Sequence, residues 1–300
     1  MKLLLLGKTG QVGWELRRAL NPIGQLLSLG RADLDLQDVD AVRACVRAHA
    51  PDVLVNAAAY TGVDRAESEP ETARRINVDA VEAIAGEMQA IGGMLVHYST
   101  DYVFNGEKPT AYVEEDIIAP LSVYGQSKAL GEQAIRDSGV RHLILRTSWI
   151  YGTHGTNFAR SILRLARERD SLRVVDDQFG APTGAELVAD VTGLMLHVLV
   201  REAGAASLLG TYHLSAAGRT SWHGYAMEVL RLAHARGMVL RARPESVEAI
   251  SSDTYGSPAA RPANSVLDCR KLERAFALRL PEWTGPLRRF VDEMAESERV

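Results

Sequence analysis

The sequence predicts an α/β protein, a doubly wound parallel (Rossmann-type) sheet with a smaller C-terminal substrate-binding domain. Three observations predict it. Short aliphatic runs alternate with helical patterns through the first half of the chain. A glycine-rich turn directly follows the first run. Beyond Trp149 the alternation weakens and longer loop-like stretches appear.

The elements follow in order. Lys2–Leu6 is an aliphatic run suited to a strand buried on both faces. Gly13–Leu20 reads as a helix and Gln25–Leu29 as a second strand. Val39–Ala50 is helical and Asp52–Asn56 is the third strand. Glu71–Ile91 reads as one long helix before the strand Met94–Ser99. Tyr124–Ser138 is a helix and His142–Thr147 a strand. Asn157–Glu168, Thr220–Arg236 and Pro281–Ala295 carry helical patterns, whereas 244–264, with prolines and serines, reads as ordered loop. Residues 1–149 are expected to bind a dinucleotide. Residues 150–300 are expected to form mainly the substrate domain, with some segments returning to the first. Right-handed crossovers place the ligand crevice at the carboxyl ends of the strands.

Composition excludes several classes. The 300 residues carry 34 basic and 38 acidic side chains, a net charge of −4. A dedicated nucleic-acid binder carries a basic excess. Apolar residues make up 46% of the chain, enough for a core. The aliphatic runs at 3–6 and 194–200 are too short to cross a membrane or serve as a signal segment. Two cysteines, Cys45 and Cys269, make neither a disulfide framework nor a metal quartet. The expectation is a cytoplasmic protein with no nucleic-acid or membrane partner.

The turn after the first strand carries Gly7, Gly10 and Gly13. The first permits a tight turn, the second a close approach to a pyrophosphate, the third close packing of helix on sheet. Phosphate then sits on the free N–H groups of the helix that comes next. Although Gly7-Lys8-Thr9 occurs, no glycine precedes Gly7, so a Walker phosphate loop is excluded. The second strand ends at Leu29-Gly30-Arg31, with no carboxylate at 30 to hold a ribose 2′-hydroxyl. Arg31 can pair with a 2′-phosphate, which favours NADPH. Asp33 and Asp35 close by leave NADH open.

Tyr124 and Lys128 stand four apart at a helix start, hence on one face about one turn apart. An ammonium beside a phenol favours the phenolate and is expected to lower the Tyr124 pKa. A tyrosine so placed can protonate a carbonyl oxygen while hydride arrives at carbon. Thr100 falls just past an interior strand, where its hydroxyl can steady the developing oxyanion.

These residues resemble the extended branch of the short-chain dehydrogenase/reductase superfamily. Further blocks are similar to the dTDP-4-dehydrorhamnose reductases: Gly-Lys-Thr-Gly-Gln-Val-Gly (7–13), Asn-Ala-Ala-Ala-Tyr-Thr (56–61), Asp-Arg-Ala-Glu (64–67) and His-Tyr-Ser-Thr-Asp-Tyr-Val-Phe (97–104). So are Val-Tyr-Gly-Gln-Ser-Lys (123–128), Arg-Thr-Ser-Trp-Ile-Tyr (146–151), Asp-Gln-Phe-Gly-Ala-Pro-Thr (177–183) and Arg-Pro-Ala-Asn-Ser (261–265). The resemblance covers nearly the whole chain. It implies reduction of the C4 ketone of dTDP-4-dehydro-L-rhamnose by NADPH or NADH, with Tyr124 as proton donor and Lys128 and Thr100 in support. It also implies cofactor contacts at Gln11, Val12, Asp35, Leu36, Ala59, Tyr60, Thr61 and Tyr98. Thr100, Asp101 and Trp149 match sugar-contacting positions, where Trp149 could stack on the sugar. Glu15, Glu186 and Glu293 match positions that hold Mg²⁺ at a homodimer contact in some members; from the residues alone they are three scattered acids. Two other readings stand beside this one: an epimerase or dehydratase that recycles bound NAD, and a non-catalytic regulatory subunit.

Overall fold

The computed structural model describes residues 1–201 and 204–297. In chain order the elements are β1 (Lys2–Leu6), α1 (Gln11–Leu20), β2 (Gln25–Leu29), α2 (Val39–His49), β3 (Val53–Asn56), α3 (Val63–Ser68), α4 (Pro70–Arg74), α5 (Ala80–Ala90), β4 (Met94–Thr100), α6 (Val123–Ser138) and β5 (Arg141–Thr147). They continue with β6 (Ile150–Tyr151), α7 (Phe158–Glu168), β7 (Leu172–Val175), β8 (Phe179–Gly180), β9 (Thr183–Gly184), α8 (Ala185–Arg201), β10 (Gly210–His213), β11 (Thr220–Ser221) and α9 (Trp222–Ala235). The last are β12 (Val247–Ile250), α10 (Ser252–Tyr255), α11 (Arg270–Phe276) and α12 (Thr284–Ser297).

Six parallel strands form the central sheet in the order β10-β5-β4-β3-β1-β2. The order turns at β1, where the chain leaves for β2 and returns through α2 to β3. That switch opens a crevice at the strands' carboxyl ends. Alternate residues of each strand serve the two faces. Leu3, Leu5, Val55, Val96 and Leu145 pack with α1 and α8 on one side. Leu4, Leu6, Leu54, Leu95 and Ile144 pack with α2 and α5 on the other. Each of these leucines is at most 2% exposed, and burying such a side chain contributes about 1.5–3 kcal/mol. A second core joins α7, α9, α12 and β7 around Ile162, Tyr225, Val229 and Phe290. Cys45 and Cys269 are free thiols. No helix among the described residues is long and apolar enough to cross a membrane.

Four segments depart from the expected elements. The single helix over 71–91 is α4 and α5 joined by a π-helical turn at Arg75–Asp79. The turn aims Asn77 inward, where it exchanges two hydrogen bonds with the Tyr60 backbone and donates to Ser127 Oγ at 2.9 Å. Its carbonyl also presses on α6, since a Cβ at Gly131 would lie 2.3 Å from Asn77 O. The stretch 244–264 is not all loop. β12 adds to β7 in parallel, and α10 is capped by Ser251, whose side chain accepts from Thr254 N. α8 and β10 carry no clear sequence signal. α8 is apolar on several sides because α1 and the sheet cover it, so the amphipathic period is faint. β10 is a short strand that closes the sheet beside β5.

Candidate active site

The turn from β1 to α1 is held by contacts only glycine allows. Gly7 has φ +88°, and a Cβ there would lie 2.7 Å from the Ala57 backbone. A Cβ on Gly13 would lie 1.9 Å from Gly7 O. Gly7 N and Lys8 N both donate to Leu29 O, at 2.9 and 3.1 Å, tying the turn to β2. α1 starts after Gly10 with no side-chain cap and no acid in its first turn, so its leading N–H groups stay open to an anion.

A cleft of about 920 Å³ runs from this turn across the strand ends. Gly7, Gly10, Gln11, Val12, Arg31, Asp35, Leu36, Ala59, Tyr60, Thr61, Tyr98, Thr100, Asp101, Tyr124, Lys128 and Trp149 all line it. Of the sequence-derived cofactor and sugar positions only Gly13 does not, because it packs beneath the turn. At the ribose end, Asp33 accepts from Gly30 N at 2.8 Å and pairs with Lys8 at 2.7 Å. These two bonds hold its carboxyl below the usual range. The Arg31 side chain is 77% exposed, with Asp35 3.9 Å away, so it is free to turn toward a 2′-phosphate.

At the reacting end, Thr100 closes β4. Its hydroxyl donates to Asp101 Oδ1 at 3.0 Å and accepts from Tyr102 N at 3.2 Å. Asp101 is 2% exposed, and burial drives its carboxyl up to about 7 against the pull of the Ser265 and Thr100 hydroxyls. Tyr124 is half-buried on the first turn of α6, a helix capped by Ser122, whose side chain accepts from Gly125 N. Desolvation pushes its phenol up to about 12, with the Thr100 hydroxyl pulling the other way. The expected lowering by Lys128 is not found. Lys128 Nζ donates instead to Tyr98 O at 2.7 Å and lies 3.1 Å from His97 Nε2. The four-residue spacing shares a face, but the long stem points the ammonium back under β4. A phenol so raised stays protonated at neutral pH, which suits a proton donor.

Trp149 sits on the cleft wall in a left-handed backbone, φ +47°. Its ring stacks on Trp222, centroids 3.5 Å apart, and Gly180 lies so close that a Cβ there would reach within 2.5 Å of it. The expected stacking on a sugar is thus answered by Trp222 on one face. Trp222 itself lines the cleft and escaped the sequence reading, since nothing local marks it. Arg261 also escaped a role. It pairs with Asp64 at 2.8 Å, joining two sequence blocks nearly two hundred residues apart.

Glu15, Glu186 and Glu293 do converge, on a separate pocket of about 340 Å³ between α1, α8 and α12. Their oxygens face guanidiniums. Arg289 bridges Glu186 at 2.9 Å and Glu293 at 3.0 Å, and Arg18 lies 3.4 Å from Glu15. Among the described residues no three His, Cys, Asp or Glu side chains are grouped to hold a metal. The set expected for Mg²⁺ does not fit one in this arrangement, because arginines supply the countercharge.

Comparison with known proteins agrees with this geometry. Residues 1–296 match the RmlD substrate binding domain family. The chain is 47% identical to the dTDP-4-dehydrorhamnose reductase of Salmonella typhimurium and 46% identical to that of Escherichia coli K12, each over 298 residues and 98% of both chains. It superposes on the dTDP-4-dehydrorhamnose reductase of Bacillus anthracis, solved in complex with NADP, with a TM-score of 0.88 and 34% identity, covering 97% of this chain and 99% of that one. With its glycine turn, its Tyr124–Lys128 pair and likeness along its whole length, the chain belongs to the RmlD substrate binding domain family.

Proposed function

We propose that this protein reduces the C4 ketone of dTDP-4-dehydro-L-rhamnose to dTDP-L-rhamnose, with NADPH as hydride source and Tyr124 as proton donor. One observation carries the reading. Thr100, Tyr124 and Lys128 line the same cleft as the phosphate-binding turn, in a chain close to half identical to reductases of that name. When bound, NADPH supplies the hydride that attacks the sugar C4.

The chain's own residues do the rest. The α1 N-terminus and the Gly7–Gly13 turn hold the pyrophosphate, and Arg31 holds the 2′-phosphate. Residues 1–149, joined by α8 and β10, carry the dinucleotide; most of the chain beyond residue 150 shapes the sugar side. Tyr124 gives its phenolic proton to the ketone oxygen as the C4–H bond forms, leaving an alcohol and a phenolate. Thr100 steadies the charge on that oxygen. Asp101 and the Trp149–Trp222 stack wall the sugar.

A bound-NAD epimerase or dehydratase and a regulatory subunit are the competing readings. The relatives at 46–47% identity bear reductase names, and all three catalytic side chains are present. The deciding experiment mixes purified protein with NADPH and enzymatically prepared dTDP-4-dehydro-L-rhamnose and monitors loss of the reduced-nicotinamide absorbance. Stoichiometric conversion to dTDP-L-rhamnose supports the reading. Bound NADPH without turnover overturns it in favour of a regulatory role.

A further inference from the structure

Behind Lys128 lies a row of buried groups that take no part in hydride or proton transfer to the sugar. Asn56 ends β3 and His97 stands opposite it on β4, paired in register. Both are at most 1% exposed. Asn56 Nδ2 lies 3.3 Å from His97 Nδ1, and His97 Nε2 lies 3.1 Å from Lys128 Nζ.

The hydrogens in this row are determined by one backbone contact. Ala58 N–H donates to Asn56 Oδ1 at 3.1 Å. The Asn56 amide is therefore turned with its oxygen toward Ala58 and its NH₂ toward His97; the opposite orientation would set two donors face to face at Ala58. An NH₂ directed at His97 Nδ1 requires that nitrogen to accept. A neutral imidazole has one donor and one acceptor, so its hydrogen sits on Nε2. That N–H faces Lys128 Nζ. An ammonium has only hydrogens to offer, whereas a neutral amine has a lone pair to receive this one. Tyr98 O takes a hydrogen from Lys128 in either state.

We propose that Asn56 holds His97 as its Nε2–H tautomer and that this ring, presenting a donor to Lys128, weakens the hold of Lys128 on its proton in the free enzyme. His97 is then a positioning residue that acts through Lys128 and never touches cofactor or sugar. The Lys128 charge under β4 becomes adjustable instead of permanent. Burial acts in the same direction, driving Lys128 down to about 8 and His97 well below the usual imidazole range. The other groups facing this row do not cancel it. Glu132, one turn along α6, pulls Lys128 upward, but its carboxylate is committed to Arg146 on β5 at 2.7 Å and to Arg136 at 3.1 Å. Tyr98 meets Lys128 only through its backbone carbonyl; its phenol, raised by burial, turns to Thr192 on α8 at 2.7 Å. Tyr124, on the same helix face as Lys128, is a phenol raised by burial.

The test is nitrogen NMR on the full-length protein with ¹⁵N-labelled histidine, which reads the ring tautomer directly and needs no turnover. Its failure is thereby separable from failure of the reductase reading. The expected result is a protonated Nε2 and an unprotonated Nδ1 at His97. A protonated Nδ1 overturns the proposal. The second arm tracks the Lys128 Cε resonance against pH in ¹³C-lysine protein, wild type and Asn56→Asp. A carboxylate at 56 accepts from Nδ1, moves the ring hydrogen there and gives Lys128 an acceptor. The Lys128 midpoint is expected to rise by about one unit or more, a tenfold stronger hold on the proton. A switched tautomer with an unmoved midpoint overturns the proposal. His97→Gln, whose amide oxygen can accept from Lys128, is expected to raise the midpoint likewise. It keeps this arm decisive if Asn56→Asp does not fold.

Discussion

The hydroxyl of Thr100 donates to Asp101 Oδ1 across 3.0 Å, so the one hydrogen it has for a substrate oxygen is directed into a buried carboxyl. With Asp101 ionised, Thr100 has nothing to give the forming alkoxide. With Asp101 protonated, the carboxylic acid can donate to Thr100 and release that hydrogen toward the substrate.

Asp101 titrates near 7 because burial disfavours its charge. Turnover is therefore expected to fall as pH rises through about 7. Asp101→Asn, whose NH₂ always donates, should flatten that limb; a pH profile of kcat with saturating NADPH checks it. Stability carries a matching signature. A carboxyl raised in the fold binds its proton more tightly folded than unfolded. Its contribution is fully present below 3.8 and is lost as pH rises through about 7. Asp101→Asn should match wild type near pH 3.5 and melt several degrees higher at pH 8, read by thermal denaturation.

Tyr124→Phe removes the donated proton and keeps the ring. It should cut kcat by roughly 10²–10⁴, with NADPH affinity nearly unchanged. Lys128→Ala should weaken both, since Lys128 lines the cleft between the two. Steady-state turnover together with NADPH fluorescence titration separates the cases, and unchanged turnover in Tyr124→Phe would remove Tyr124 from the mechanism.

Gly13→Ala places a methyl group 1.9 Å from Gly7 O, which no side-chain motion relieves. The turn must open, and with it the phosphate site. Dinucleotide affinity should drop at least tenfold, measured by calorimetry, and stability should fall by about 1–3 kcal/mol, the range for overpacking.

Arg31 is exposed and weakly tethered at the ribose end. Arg31→Ala should lower kcat/KM for NADPH about tenfold, worth ~1.4 kcal/mol, and leave NADH nearly unchanged. Equal losses for both cofactors would assign Arg31 a structural part instead.

The central strands and the glycine turn were legible because each rests on local chemistry. β1 and β2 coincide with their aliphatic runs, and β3, β4 and β5 differ from theirs only by a residue at one end. The spacing of Gly7, Gly10 and Gly13 states its own steric requirement, as does the placing of Tyr124 and Lys128 on one helix turn. The π turn at 75–79 was not legible, since what accompanies it is the Asn77 side chain bonded to Tyr60 and Ser127, which sequence does not bring near. Nor was Trp222, whose stacking partner lies seventy-three residues earlier in the chain.

By itself, then, the sequence determined the alternation of elements, the phosphate turn and which side chains could exchange a proton. Period, glycine sterics and residue chemistry are properties of neighbours along the chain. Tertiary structure alone decided where the Lys128 ammonium points, how far Asp101 and Tyr124 are shifted by burial, and that three glutamates meet two arginines instead of standing apart. Each of those depends on what the fold packs around a group and how much water it removes, and desolvation and hydrogen-bond partners exist only once distant segments meet.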